Sequence, residues 1–217
     1  RLRGRRARTR EISLVGGLGM DLGPEVIGAR ARLLQQEGFR TFKIKIGQPD
    51  HAKDIERVRA VRQAVGDDAS IRVDGNAAYS FADARVVLHE LSRFHITDAE
   101  QPLTRSDLRS LAELRRAVGI PIAAQESVSS PEDALAVLEQ QAADLLKIKL
   151  THIGGFESAR EVAALFSCGR DDVPRRVRRS RPGQLHRLAV RRVFDERVDV
   201  AAESHLPRAQ NQPRVLL

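Results

Sequence analysis

The chain has 217 residues, of which 41% are hydrophobic, so it can bury a substantial core and is not expected to be disordered along its length. No apolar run approaches the ~18 residues that a membrane-spanning helix needs, and no signal peptide is recognisable, which argues against a membrane partner. The single cysteine, Cys168, excludes an internal disulfide framework and fits a reducing compartment, so we expect a cytoplasmic protein.

The net charge of +8 is concentrated at the two ends of the chain. Residues 1–10 contain six arginines and no acid, and residues 168–217 contain twelve arginines against six acids. We therefore expect a basic, unstructured leader over residues 1–11, a folded domain over 12–167 and an arginine-rich tail over 168–217. Three interpretations of the tail stay open: a frameshift that replaced the native continuation, a solvated basic tail, and a nucleic-acid-binding arm, which is the least favoured.

Short apolar strands alternate with amphipathic helices between the two ends. The predicted strands are, in chain order, Ile12–Val15, Thr41–Ile46, Ser70–Val73, Ile96–Ala99, Ile120–Ala124 and Leu145–Leu150. Helices are predicted between them; Ala84, Val87, Leu88 and Leu91, for example, have the spacing of one helical face. This repetition predicts an α/β fold with a parallel sheet and right-handed crossovers.

Polar side chains occur at or just past the ends of successive predicted strands, with spacings of 29, 26, 25 and 24 residues. They are Lys45, Asp74, Glu100, Gln125 and Lys149. Each spacing is about the length of one strand, one crossover helix and two turns, so the pattern places one polar residue in each βα unit. In a (β/α)₈ barrel such residues converge on one mouth, whereas an open doubly wound sheet brings together only those at its switch point. The barrel is therefore favoured.

The residue types at this predicted mouth indicate a particular chemistry. Asp74 and Glu100 offer the hard oxygen ligands that Mg²⁺ or Mn²⁺ prefers. Lys43 and Lys45 lie on one side of their strand because side chains alternate, and Lys147 is related to Lys149 in the same way. Lysine can act as a base when it is partly desolvated, and a second ammonium nearby favours loss of its proton.

Five ordered motifs resemble those of the muconate-lactonizing (muconate cycloisomerase) and mandelate racemase-like members of the enolase superfamily: FKIKIG, VDGN, AEQP, AAQES and KIKLTHIGG. The resemblance covers residues 12–165. It implies the C-terminal barrel domain of such an enzyme, present as a partial (β/α)₈ TIM-type barrel of about six βα units. The N-terminal capping domain and the last two units of the family are expected to be absent.

The resemblance also implies a role for each residue of the mouth. Lys45 would be a general acid/base on one face of the substrate, Lys43 would favour its deprotonation, and Lys149 would be the acid/base on the opposite face. The metal ligands would be Asp74, Glu100 and the residue at position 125, with Asn76 and Glu126 in supporting positions.

Two positions depart from the family pattern. The family places an aspartate where this chain has Gln125, so the third metal ligand is neutral and Mg²⁺ should bind more weakly. A second lysine that usually follows Lys149 is replaced by His152.

The function implied is that of a Mg²⁺-dependent isomerase, either a cycloisomerase or a racemase/epimerase. It would use lysine acid/base catalysis next to the carboxylate of a small substrate, through an enediolate. The alternatives are a catalytically inactive fragment of such an enzyme, a dehydratase of the same superfamily and, least favoured, a nucleic-acid-binding protein that uses its basic ends. The parent enzyme is expected to be a homo-oligomer.

Overall fold

The computed structural model describes the backbone of residues 15–170 and the side chains of residues 16–166. Within this range, six parallel strands form a single sheet and neighbour one another in the order of the chain. The strands are β1 Val15–Leu18, β2 Thr41–Lys45, β3 Ser70–Asp74, β4 Ile96–Glu100, β5 Ile122–Ala124 and β6 Leu145–Leu146.

A helix follows each strand. The helices are α1 Pro24–Gln36, α2 His51–Val65, α3 Phe81–Leu91, α4 Leu108–Ala117, α5 Pro131–Glu139 and α6 Phe156–Arg170, and a short 3₁₀ turn spans Ser92–Phe94. The apolar face predicted for α3 is confirmed, because Ala84, Val87, Leu88 and Leu91 are all fully buried.

The strand order distinguishes a barrel from an open doubly wound sheet, the two architectures that the sequence analysis compared. A doubly wound sheet reverses its strand order at a switch point, whereas a barrel adds each new strand beside the last. The order β1-β2-β3-β4-β5-β6 contains no reversal. The prediction of a partial (β/α)₈-type barrel with about six βα units is therefore confirmed over the described residues.

Alternation along the strands divides apolar from polar side chains. In β2, Phe42 and Ile44 are fully buried in the hydrophobic core. Lys43 and Lys45 alternate with them and therefore face the opposite side of the strand. Of the next strand's side chains, Ile71 and Val73 join the same core, while Asp74 lies at its end. The sheet thus carries its functional side chains on the face turned away from the helices.

Helix caps fix where the loops above the sheet end. The Ser80 and Ser130 hydroxyls accept hydrogen bonds from the N–H of Asp83 and Asp133, so α3 and α5 begin where their Ser-x-x-Asp patterns indicate. In α4 the cap is instead the Asp107 side chain, which accepts from the N–H of Ser110 at 3.0 Å. That hydrogen bond lowers the pKa of the Asp107 carboxyl.

The ends of the predicted sheet differ from the structure. The first strand is Val15–Leu18 rather than Ile12–Val15, and residues 12–14 lie outside the described residues. The last strand keeps two residues of the predicted six, because beyond Lys147, whose N–H still donates to the Ala124 carbonyl, the chain leaves the sheet and turns at residues 150–154. The predicted leader over residues 1–11 lies outside the described residues, as does the predicted tail beyond Arg170. No helix within the described part of the chain has the length and apolar character to cross a membrane.

Candidate active site

The C-terminal ends of β2, β3 and β4 bring the predicted charged residues into register. Lys45 is paired with Asp74 across β2 and β3, and Asp74 with Glu100 across β3 and β4. Parallel strands in register put these three side chains at one edge of the sheet. We call this edge the mouth, defined by the ends of β2 to β6 that carry Lys45, Asp74, Glu100, Gln125 and Lys149.

Asp74 is fully buried and lies between two lysines. Its Oδ2 is 2.9 Å from the Nζ of Lys43 and 2.6 Å from the Nζ of Lys45. Its Oδ1 accepts a hydrogen bond of 3.0 Å from the N–H of Asn76. One carboxylate thus offsets the repulsion between two ammonium groups that stand on the same strand.

Glu100 is also buried and links the same lysine to the far side of the mouth. Its Oε1 accepts from Lys43 Nζ at 3.0 Å. Its Oε2 is 3.0 Å from the Nζ of Lys147, yet it accepts no hydrogen bond of good geometry. The contact between Glu100 Oε2 and Lys147 is therefore an ion pair without a well-aligned hydrogen bond.

Asn76 and Glu126 form a polar bridge above the acids. Lys45 Nζ donates to Asn76 Oδ1 at 2.6 Å, and Asn76 Nδ2 donates to Glu126 Oε1 at 2.9 Å. Asn76 and Ala77 hold left-handed backbone angles, with φ of 43° and 60°. Such angles cost energy in non-glycine residues, so the surrounding contacts must enforce this turn.

Gln125 stands at the end of β5 and is nearly buried. Its backbone N–H donates to Gln101 Oε1 at 3.0 Å, and its side-chain Nε2 lies 3.1 Å from Nδ1 of the exposed His152. The two departures from the expected pattern, Gln125 and His152, are therefore in contact with each other.

Gln101 is a structural residue of the site that the sequence reasoning did not assign. It is fully buried, with its Oε1 accepting from the N–H groups of Gln125 and Ser127, and its Nε2 donating to Ser127 Oγ and the Leu103 carbonyl. Its φ of 34° is left-handed. The sequence did contain a signal for this residue, since Gln101 is the polar residue that follows Glu100 in the AEQP motif.

Lys149 follows β6 in a turn, and its side chain is half-buried. Its carbonyl accepts from the N–H groups of His152 and Ile153 at 2.9 and 3.2 Å, which anchors the turn. Two residues earlier, the N–H of Lys147 donates to the Ala124 carbonyl at 2.9 Å, so this segment continues alongside β5. Lys149 therefore lies after β6, separated from Lys45 at the end of β2 by the three strands β3 to β5.

A buried network under the β2–α2 loop was also not predicted. Arg57 is almost fully buried and donates to the carbonyls of Leu22, Lys45 and Gly19, as well as to Asp54. Asp54 in turn accepts from Tyr79 Oη at 2.8 Å. Burial, together with the charge of Asp54, raises the pKa of the Tyr79 phenol, which stays protonated as a donor. This network fixes the backbone of Lys45.

The donor set of the mouth suits a hard divalent cation. Asp74 and Glu100 present buried carboxylate oxygens side by side, Oε2 of Glu100 has a lone pair without a hydrogen bond, and Gln125 has an amide oxygen. Mg²⁺ accepts such oxygen ligands. Within the described residues, however, no group of three or more His, Cys, Asp or Glu side chains could hold a metal ion. Position 125 contributes a neutral amide to this donor set instead of a third carboxylate.

Known proteins resemble this chain in sequence and in structure. The family model described as Enolase C-terminal domain-like matches residues 26–168. The L-Ala-D/L-Glu epimerase of Bacillus subtilis is 36% identical over 67% of this chain, and muconate cycloisomerase 1 of Rhodococcus opacus is 35% identical over 72%. The crystal structure of the dipeptide epimerase from Cytophaga hutchinsonii, complexed with Mg and the dipeptide D-Ala-L-Val, superposes with a TM-score of 0.70 at 30% identity and covers 74% of this chain.

The alignment covers only a part of each of these proteins. It spans 41% of the epimerase sequence, 42% of the cycloisomerase sequence and 43% of the dipeptide epimerase structure. The chain thus spans less than half the length of the relatives that it matches.

Proposed function

This chain belongs to the Enolase C-terminal domain-like family of the enolase superfamily, and on that premise we propose that it carries the acid/base site of an isomerase that acts on the carbon next to a carboxylate. The observation that carries the proposal is the arrangement of Lys45, Asp74 and Glu100 in register at the ends of three adjacent strands. Buried acids and lysines in contact at strand ends are typical of a barrel mouth built for chemistry rather than for stability.

The proposed roles follow from the contacts of each residue. Lys45 would take or give the proton on one face of the substrate, and Lys149, at the other end of the strand series, would do so on the opposite face. Lys43 would share the Asp74 carboxylate with Lys45 and so help to position it. Asn76 would orient the Lys45 ammonium, and Glu126 would orient Asn76.

Proton transfer at such a carbon requires several groups of the mouth to act together. When the C–H bond breaks, its proton goes to one lysine and its electron pair moves onto the substrate carboxylate, which then carries two negative charges. Asp74, Glu100 and Gln125 would hold Mg²⁺, which supplies positive charge to that carboxylate when it is bound. The opposing lysine returns a proton to the other face and completes an inversion.

The substrate class we propose is a small carboxylate, with dipeptide epimerisation as the leading reaction and muconate-type cycloisomerisation next. Epimerisation is favoured because it needs an acid/base group on each face, and Lys45 and Lys149 stand at opposite ends of the strand series. A dehydratase of the same superfamily is the weaker alternative.

A second candidate is a catalytically inactive member of the family, and Gln125 is the observation that favours it. Replacing the third acid by an amide lowers the attraction for Mg²⁺, and the charge that the enediolate needs would be missing. Under this alternative the chain keeps the fold and the lysines but does not turn over substrate.

The test uses Lys149→Ala with Lys53→Ala as its matched control. Lys53 is exposed on α2, where it pairs with Asp50 at 3.7 Å. In the presence of Mg²⁺, epimerisation of L-Ala-L-Glu should fall by about a thousandfold in kcat in Lys149→Ala, with KM nearly unchanged, because the base acts in the transition state. Lys53→Ala should match the unmodified chain. If Lys149→Ala retains a third or more of the activity, Lys149 is structural and the proposed mechanism is wrong.

We also propose a cytoplasmic location, as the single cysteine indicated, and a homo-oligomeric parent enzyme. Size-exclusion chromatography with light scattering tests the second of these.

A further inference from the structure

Charged side chains alternate in sign across the interior of the mouth, from β2 to the segment after β6. The sequence of contacts runs through Lys45, Asp74, Lys43, Glu100, Lys147, Asp98 and Arg72. Most members of this series already have a place in the proposed function. Lys147 does not, although it links Glu100 to Asp98 within the series.

Asp98 and the sheet hold Lys147 in place. Its Nζ donates to Oδ1 of Asp98, which is 2% exposed, and Asp98 Oδ2 is also 3.4 Å from Nε of Arg72. The Lys147 backbone is tied to β5 through the Ala124 carbonyl. Asp98 is two residues before Glu100 on β4, so both acids face the same side of the strand. The ammonium group is thus built into the fold.

The same ammonium neutralises an acid that the proposed function needs. Lys147 Nζ lies 3.0 Å from Glu100 Oε2, the buried oxygen that accepts no hydrogen bond of good geometry. A divalent cation bound by that oxygen would stand a few ångströms from the fixed positive charge of Lys147. In a site shielded from water, such repulsion is much stronger than between exposed groups.

We propose that Lys147 is a resident counter-cation that competes with a divalent cation for Glu100 and so keeps the metal affinity of this mouth low. This inference rests on the proposed function, in which Glu100 is a metal ligand. The mouth would then bind a metal weakly for two reasons. Position 125 lacks a negative charge, and Lys147 supplies a positive charge. Lys147 is a positioning residue here, because it acts on the metal through Glu100.

The test is a titration with Mn²⁺ alone, in which electron paramagnetic resonance measures the free ion. Lys147→Gln should bind Mn²⁺ about tenfold more tightly than the unmodified chain, because one nearby positive charge is gone. A role in stability alone predicts the opposite direction, since loosening the mouth would weaken binding. Lys53→Gln removes the same charge from the exposed face of α2 and should leave the affinity unchanged.

A second variant guards against misfolding. Lys147→Gln leaves the buried Asp98 with less compensation, so the double variant Asp98→Asn/Lys147→Gln removes both charges of that ion pair and keeps a polar side chain at each position. It should also bind Mn²⁺ more tightly than the unmodified chain, by at least threefold, because Lys147 is the member of the pair that contacts Glu100.

Glu100→Gln separates failure of this inference from failure of the proposed function. If Glu100→Gln leaves Mn²⁺ affinity unchanged, Glu100 is not a ligand and the metal site itself is wrong. If Glu100→Gln weakens binding but neither Lys147 variant strengthens it, the metal site stands and the competition by Lys147 is refuted.

Discussion

The two halves of the mouth differ in how their polar residues are matched. At the ends of β2, β3 and β4, two buried carboxylates contact lysines at 2.6–3.0 Å. At the end of β5 and after β6, a neutral glutamine contacts the exposed ring of His152. The first half holds its charges in mutual ion pairs, whereas Gln125 in the second half takes part in none of them. The charge at position 125 can therefore change without breaking the ion pairs of the first half.

The largest effect is expected from Asp74→Asn, which breaks the charge matching of the first half. Lys43 and Lys45 would then face each other without the buried acid between them, and we expect a loss of about 3 kcal/mol in the free energy of unfolding. Urea denaturation measures it. Asp50→Asn, which removes an exposed acid paired with Lys53, should cost less than about 0.5 kcal/mol. Equal losses for the two variants would mean that the ion pairs of Asp74 stabilise the fold no more than the exposed pair between Asp50 and Lys53.

Gln101→Leu tests the backbone support that the two halves share. It would remove four hydrogen bonds and leave the buried N–H groups of Gln125 and Ser127 without acceptors, at a cost of about 2 kcal/mol. Gln63→Leu, on the exposed face of α2, is the matched control and should stay within about 0.5 kcal/mol of the unmodified chain in the same urea experiment. A stable Gln101→Leu would show that the loop after β5 holds its own shape.

Much of this architecture could be predicted from the sequence, because periodicity and capping are local. The spacing of Lys45, Asp74 and Glu100 indicated one polar residue in each βα unit, and the structure has these three in register. Asp98 could have been found in the same way, since it alternates with Glu100 on β4. It was missed because a single acid within a short strand cannot be distinguished from a solvated one without its partner.

The remaining features depend on contacts between distant parts of the chain. Arg57 reads as a polar position of an ordinary helix, and only the fold shows that it reaches carbonyls of Gly19 and Leu22. The ion pair between Lys147 and Glu100 joins residues 47 positions apart, which no local pattern reveals. Strand ends were also difficult to predict: β6 is short because the chain leaves the sheet to form the turn at Lys149.

Gln125→Asp should make the two halves alike. A third carboxylate at this position restores one negative charge to the donor set, so Mn²⁺ should bind about tenfold more tightly, which corresponds to ~1.4 kcal/mol. The same titration of the free ion measures the change. Gln63→Asp, on the exposed face of α2, is the control for added charge. An unchanged affinity in Gln125→Asp would place the third ligand elsewhere.

The smallest effect is expected from Asp133→Ala, near the start of α5, the helix that follows β5. Asp133 accepts hydrogen bonds from Ser129 N and Oγ at 2.9 and 2.7 Å. Burial alone would raise the pKa of this carboxyl, but the hydrogen bonds from Ser129 and Ser130 outweigh burial and lower it. At neutral pH the variant should lose about 1 kcal/mol.

The pH dependence of that loss has a definite sign. A carboxyl whose pKa is lowered by folding stabilises the fold above its unfolded pKa of ~3.9, and the stabilisation disappears as pH falls through the folded value. The difference between Asp133→Ala and the unmodified chain should therefore shrink below about pH 4 in thermal denaturation. A difference that is constant with pH would mean that the charge of Asp133 is irrelevant.

Exchange of the α-proton of L-Ala-L-Glu with solvent tests the central claim most directly, since it reports proton transfer without requiring a complete reaction. In D₂O with Mg²⁺, the α-proton signal of the glutamate residue should disappear from the ¹H NMR spectrum with the unmodified chain. It should persist with the double variant Lys45→Ala/Lys149→Ala, which lacks the proposed base on each face. Lys53→Ala should behave as the unmodified chain does. Exchange that continues at an equal rate in the double variant, or a chain that binds the dipeptide without exchanging it, would contradict the assignment of the mouth as an acid/base site.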